Sequence, residues 1–265
     1  MKFKKLFLSL GLATALLAGG CAKQEKQSQP VLNKTQVIKK AQKSFKSGEA
    51  TQTVILGTDT DKQKVSTKAT FGGNPTVFHI NYQTTSNGKT QTSEEWADHS
   101  NHLYINGQSS WYKAKLDQVT GHTYADLLDS IMHNEMLIDP PAKLTDAYKM
   151  KRKGNTYTLT ANLKDKKIMQ QAVDPVFITD TQSPKQQKVY RQLEKAGKFQ
   201  SMTVKLVVKN QKMTSFSYHV NLKVGKLMKF TVSQSYNNMG SQDFLKIPTN
   251  ALNGKPLPKA KPKKK

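Results

Sequence analysis

Over the C-terminal third of the chain, hydrophobic and polar residues alternate with period two. Met202, Val204, Leu206 and Val208 share one face of an extended segment while Thr203, Lys205 and Lys209 take the other, with Val207 the apolar exception. Phe216, Tyr218, Val220 and Leu222 oppose Ser217, His219, Asn221 and Lys223, and Met228, Phe230 and Val232 oppose Lys229, Thr231 and Ser233. Three such strands in succession predict an antiparallel sheet that is dry on one side and wet on the other. Shorter alternating segments come earlier, separated by turn signals at residues 59–61, Gly72-Gly73-Asn74-Pro75, Asn87-Gly88, Asn106-Gly107, Gly154-Asn155, Asn210-Gln211 and Gly225-Lys226. Asn-Gly suits a two-residue loop in which both residues have positive φ, so neighbouring segments are expected to pair as hairpins.

Helical spacing appears where a cover for the dry face is needed. Asn33 with Gln36 resembles a capping box, and Val37, Ile38, Ala41 and Phe45 follow at helical intervals before Gly48. Thr123 with Asp126 opens a second helix with the apolar stripe Tyr124, Leu127, Leu128, Ile131 and Met132. Ser183-Pro184-Lys185-Gln186 opens a third, with Val189, Tyr190 and Leu193 inward and Gly197 as its stop. The predicted order is a helix, a meander of about five strands, a helix, two strands, helices and a final meander. That is an α+β fold, one large curved antiparallel sheet with helices covering its concave face. The βαβ rhythm of two-lobed solute receptors is absent.

The chain ends read differently. Lys2, Lys4 and Lys5, the apolar run from Leu6 to Leu17, and Ala18-Gly19-Gly20 before Cys21 have the form of a lipoprotein export signal. Cys21 is the single cysteine, which excludes an intramolecular disulfide and a cysteine metal knuckle. Its thiol is the expected site of diacylglycerol attachment, and two acyl chains hold a protein on a membrane where one does not. The expected divisions are a signal peptide at 1–20, a lipidated tether at 21–33, the folded domain at 34–254, and a disordered Lys/Pro-rich tail at 255–265. That tail carries six lysines and three prolines in eleven positions. The expected location is the extracytoplasmic face of the cell membrane.

Charge narrows the partners. The chain has 42 Lys+Arg against 18 Asp+Glu, a formal net charge of +24. An exported, membrane-tethered protein meets anionic lipid and anionic wall polymers before nucleic acid, so those are the expected contacts of the tail, with the protein a monomer. No P-loop, GxGxxG, GxSxG or HExxH arrangement occurs in its required context, so neither catalysis nor a cofactor is expected. His99 and His102, beside Asp98 and Glu94-Glu95, come nearest to a metal constellation, but the segment offers no third ligand at fixed spacing and reads as solvated loop histidines. Trp96 and Trp111 are expected to pack over one end of the sheet.

The opening helix running into residues 50–56, the hairpin EEWADHSNHLYINGQSSWYK (residues 94–113) and the closing DFLKIP (residues 243–248), together with Cys21, resemble the LolA-like and LppX/LprG-like lipoprotein carriers. The likeness is closer still to Gram-positive lipoproteins of the same half-barrel shape, and it spans most of residues 34–250. It implies an apolar ligand, often an acyl chain, held between the concave sheet and its helices. On that reading Val204, Leu206, Phe216, Tyr218, Val220, Phe230 and Val232 on the sheet, with Leu128 and Ile131 on the second helix, bound the cavity. The other reading is a surface protein with a filled core that contacts wall polymers or another envelope protein.

Overall fold

The computed structural model describes residues 30–58, 61–173, 188, 191–193, 195–226 and 228–258. Cys21, the export signal, most of the tether, residues 259–265 and the helix start at 183–186 lie outside the described residues. Residues 32–265 form one compact unit with its own core, and residues 1–31 are a separate unit.

Among the described residues twelve strands make one open sheet, in the order β12-β6-β5-β4-β3-β2-β1-β11-β10-β9-β8-β7. The first meander has six strands, one more than the pattern predicted: β1 (Gly48–Gly57), β2 (Lys62–Gly72), β3 (Val77–Ser86), β4 (Lys89–Ala97), β5 (His102–Asn106) and β6 (Trp111–Lys115). Next come β7 (Lys149–Lys153) and β8 (Thr156–Leu163), then β9 (Lys198–Lys209), β10 (Lys212–Val224) and β11 (Met228–Asn237). Pairing of β1 with β11 joins the two meanders, and every pair is antiparallel except that of β6 with the short β12 (Lys255–Pro256). Sheet pairing therefore runs past the compositional boundary at Gly254, and the Leu257 N–H donates to the Lys113 carbonyl at 3.0 Å.

The open edges are blunted by their sequence. Strand β7 is KMKRK, exposed along its length, and β12 ends in a proline. Charge repulsion and a missing donor keep such edges from pairing with another chain.

Helices α1 (Lys34–Lys43) and α3 (Tyr124–Met132) open with the two predicted capping boxes, in which the Asn33 and Thr123 side chains each accept from the third backbone N–H of their helix. Between β6 and β7 also lie α2 (Leu116–Thr120), α4 (Glu135–Ile138) and α5 (Ala142–Ala147), and α6 (Lys166–Val173) follows β8. Helices α1 and α6 pack on β9 and β10, and α5 packs on β8. Leu193 is partly buried against the same core, and the Gly197 N–H closes the turn on its carbonyl. Val37, Ile38, Ala41, Leu127, Ile131, Leu144, Ile168 and Met169 from the helices and the inward residues of β1–β3 and β8–β11 form one continuous buried cluster.

Two local readings are corrected. Asn87-Gly88 and Asn210-Gln211 do form two-residue turns with both φ positive, whereas Asn106-Gly107 opens a longer connection in which Gln108 takes the positive φ and its N–H donates to the Asn106 side chain. Met228, read as inward, is exposed because it begins β11 beside a turn. The tryptophans pack near one end of the strand order: Trp96 on β4 is buried and Trp111 on β6 partly buried with Val77, Tyr104 and Ala251, in a second small cluster apart from the main core.

Candidate functional site

Strand register arranges the inner face as rungs that cross the sheet. Val65, Val54, Val232, Val220 and Met202 lie side by side on β2, β1, β11, β10 and β9. Four residues along, the rung is Ile80, Ala69, Ala50, Tyr236, Phe216, Leu206 and Leu159. All of these side chains are buried. The inward residues named from the sequence fall on these rungs and their neighbours: Val204, Leu206, Phe216, Tyr218, Val220, Phe230 and Val232 are each 3% exposed or less, Ile131 is fully buried, and Leu128 packs on the cluster from α3.

Between the two apolar rungs runs a polar one that the sequence reading missed. Tyr82, Thr67, Gln52, Gln234 and Tyr218 stand on the adjacent strands β3, β2, β1, β11 and β10. The Gln234 carbonyl oxygen accepts from the Tyr218 hydroxyl at 2.6 Å and from Gln52 Nε2 at 3.3 Å, and its amide donates to the Tyr236 hydroxyl. Tyr236 then donates to the Ile131 carbonyl at the end of α3, and Asn134 Nδ2 donates to the Tyr218 hydroxyl, so the rung ties the helical cover to the sheet. Burial pushes both tyrosine hydroxyls above their ordinary range, which keeps them neutral donors. Thr67 Oγ1 is buried and has no hydrogen-bond partner among the described residues.

Adjacent acids separate to opposite faces of β4. Glu94 points outward, where hydrogen bonds from Asn106 and His79 hold its carboxyl below the usual range. Glu95 sits in register with Ile80 and Ile105, and burial pushes its carboxyl up to about 7. A raised folded pKa means that the folded chain binds more protons than the unfolded one, so stability falls as pH rises from the ordinary 4.5 through about 7. Glu95→Gln is therefore expected to leave the urea midpoint unchanged near pH 4 and to raise it near pH 8 (~1 kcal/mol or more). An equal midpoint at both values would place the carboxyl in water.

His99 is exposed, and His102 on β5 bonds to Asp98, which also accepts from Tyr104. Among the described residues no three metal-ligating side chains come together. The outer face of the sheet holds a hollow of about 490 Å³ lined by Thr51, Thr53, Thr203, Ser217, Ser233 and Ser235, with Lys205 and His219 among them. Small hydroxyl side chains on adjacent strands leave this space.

These features define an α+β protein built on an open, curved antiparallel sheet with one apolar inner face roofed by short helices. Residues 27–256 match a family described as a family of unknown function (DUF6612), and the chain belongs to it. No curated protein matches the chain. Similar solved structures include a DUF1329 family protein from Desulfovibrio piger, with 4% identity and a TM-score of 0.25 over 78% of this chain and 92% of that one. Another is the dehydratase domain from the CurK module of curacin polyketide synthase, at 12% identity and a TM-score of 0.16 over 75% and 77%. A third is the dehydratase domain of RzxB from Pseudomonas fluorescens, at 10% identity and a TM-score of 0.15 over 72% and 76%. At these TM-scores none of the three carries an inference about this chain.

Proposed function

We propose that the protein is a LolA-like lipoprotein, anchored through Cys21 on the outer face of the cell membrane, that takes up an amphipathic lipid between its sheet and its helices. The observation that carries this reading is the inner face itself: apolar rungs reach across the sheet, interrupted by one polar rung that includes an unpartnered buried hydroxyl at Thr67. Ligand sites have this composition, mostly apolar with a few placed polar groups, whereas a core that only packs gains nothing from a hydroxyl left without a partner. The inner-face side chains are almost fully buried, so uptake requires the short helices of the roof to move away from them. The role is binding, as a monomer, without a cofactor or a chemical step and without nucleic acid.

Uptake of a fluorescent fatty acid tests this reading. The parent is expected to take up the probe, and Val220→Trp, at the middle of the valine rung, is expected to abolish uptake while folding with an overpacking cost of ~1–3 kcal/mol. Equal uptake by the two proteins would remove the inner face from consideration.

A second reading rests on the outer hollow. Its hydroxyls, Lys205 and His219 suit a polyhydroxylated, anionic wall polymer, and the net charge of +24 favours such a contact. The two readings use opposite faces of one sheet.

A further inference from the structure

After β11 the chain crosses to the second cluster as a strap over residues 238–257. It is tightly fastened. The Gly240 N–H donates to the Ser47 carbonyl at 2.9 Å, the Gly73 N–H donates to the Gln242 carbonyl at 3.1 Å, and the Ser47 hydroxyl donates to Asp243. A Cβ on Gly72 would lie 2.0 Å from the Gln242 carbonyl oxygen, and one on Gly73, whose φ is +86°, would lie 2.4 Å from that of Leu245. Only glycines let the strap approach the β2–β3 turn this closely.

The strap buries alternate residues. Leu245 and Ile247 pack inward against Val77 and Trp96, whereas Phe244 between its neighbours is 92% exposed. Leu252 and Leu257 are 46% and 38% exposed, which places three of the most exposed large apolar side chains within fourteen residues. Beside them opens an apolar groove of about 460 Å³ lined by Pro75, Val77, Leu245, Ile247 and Leu252. Scattered apolar residues on a surface need no explanation, but an exposed aromatic ring held on a fixed strap at the mouth of an apolar groove does.

Charge and position indicate what covers it. Lys246 and Lys255 are exposed on the strap, and the sequence continues with Lys259, Lys261, Lys263, Lys264 and Lys265. The two carboxylates bordering the groove are engaged, Asp243 by Ser47 and Asp98 by His102 and Tyr104. The Gly72 end of β2 lies at the end of the sheet where β1, β3 and β10 begin and β9 and β11 finish. Leu32, where the compact unit starts, bonds to Tyr157 at the start of β8, at that same end. Leu32, where the compact unit begins, and the exposed apolar side chains of the strap thus lie at one end of the domain.

We propose that the strap is a membrane-docking surface: Phe244, Leu252 and Leu257 insert into the interface of an anionic bilayer, and the exposed Lys246 and Lys255 beside them draw the domain onto it. Aromatic and leucine side chains bury at the headgroup boundary while basic residues contact anionic lipid, and the two terms add. Docking presents the sheet end bearing the β2–β3 turn to the bilayer. It does not depend on the inner face holding a ligand.

Vesicle sedimentation of the chain from Ala22 onward, which lacks both leader and lipid, tests the proposal. Vesicles of phosphatidylcholine alone and of equal parts phosphatidylcholine and phosphatidylglycerol separate the two terms. The parent is expected to bind the anionic vesicles, and Phe244→Ser to bind them about tenfold more weakly, with a melting temperature unchanged because the ring is in water in the free protein. Phe244→Trp is expected to bind as the parent does, with a blue shift in emission as the indole leaves water. Equal binding by the parent and Phe244→Ser would assign the attraction to the lysines alone and overturn the insertion. Absence of binding by the parent would overturn the surface altogether. A parent dimer that Phe244→Ser abolishes, with vesicle binding unaltered, would give the patch to a second copy of the chain. Fatty acid uptake is read separately, so a failed docking result leaves the ligand proposal untouched.

Discussion

Gln234→Leu is expected to lower the melting temperature by on the order of 10 °C although the side chain keeps nearly the same volume. Gln234 is the hub of the buried rung. It accepts from Tyr218 and Gln52 and donates to Tyr236, and all four side chains sit on or beside one line across β1, β10 and β11. Leucine leaves the Tyr218 hydroxyl without its acceptor and removes the donor to Tyr236 in a site with no water-exposed surface. Each buried polar group that loses its partner costs ~1–3 kcal/mol, and the losses within one network do not offset each other. Because Tyr236 and Tyr218 also hold the end of α3 and Asn134, the roof should loosen with the rung, and amide exchange in residues 124–138 should rise more than in β9. A melting temperature within a degree or two of the parent would mean that water or lipid satisfies the rung in solution.

Cys21→Ser is expected to move nearly all of the protein out of the membrane fraction. The two acyl chains of a diacylglycerol contribute ~0.8 kcal/mol per buried methylene, far more than any surface contact of the folded domain. The uncleaved apolar run from Leu6 to Leu17 is too short to span a bilayer in their place. Among the described residues no helix is long and apolar enough to cross a membrane. What remains is the strap and the lysines, an attachment that salt should weaken. A Cys21→Ser protein held as firmly as the parent, at high salt as well as low, would show that the anchor lies elsewhere.

The inward set of β9–β11 was legible because each strand alternates almost strictly, and an alternating strand reports its own face. Both capping boxes were legible because they are local, three residues wide. The polar rung was not. Gln52, Thr67 and Gln234 each look like an ordinary polar residue in a strand, and what aligns them is the pairing of β1 with β11, between segments about 180 residues apart in the chain. Glu95 carried a signal that went unused: period two puts it on the face of Ala97, opposite Glu94 and Trp96, so grouping the two acids as one metal constellation ignored the pleat. The six-strand first meander was undercounted because β5 and β6 have only five residues each, too few for alternation to register. Phe244 was read only as part of DFLKIP, since nothing in a short run of mixed residues says which one the strap turns outward.

Native mass spectrometry of the lipoprotein, extracted from its own membranes in a mild detergent, tests the ligand directly. The expected spectrum contains the chain beginning at Cys21 with its covalent lipid, plus a second, non-covalent mass of one amphipathic lipid that leaves on collisional activation and is missing from Val220→Trp. A parent spectrum holding the covalently lipidated chain alone, under conditions that keep its fold, would contradict the account.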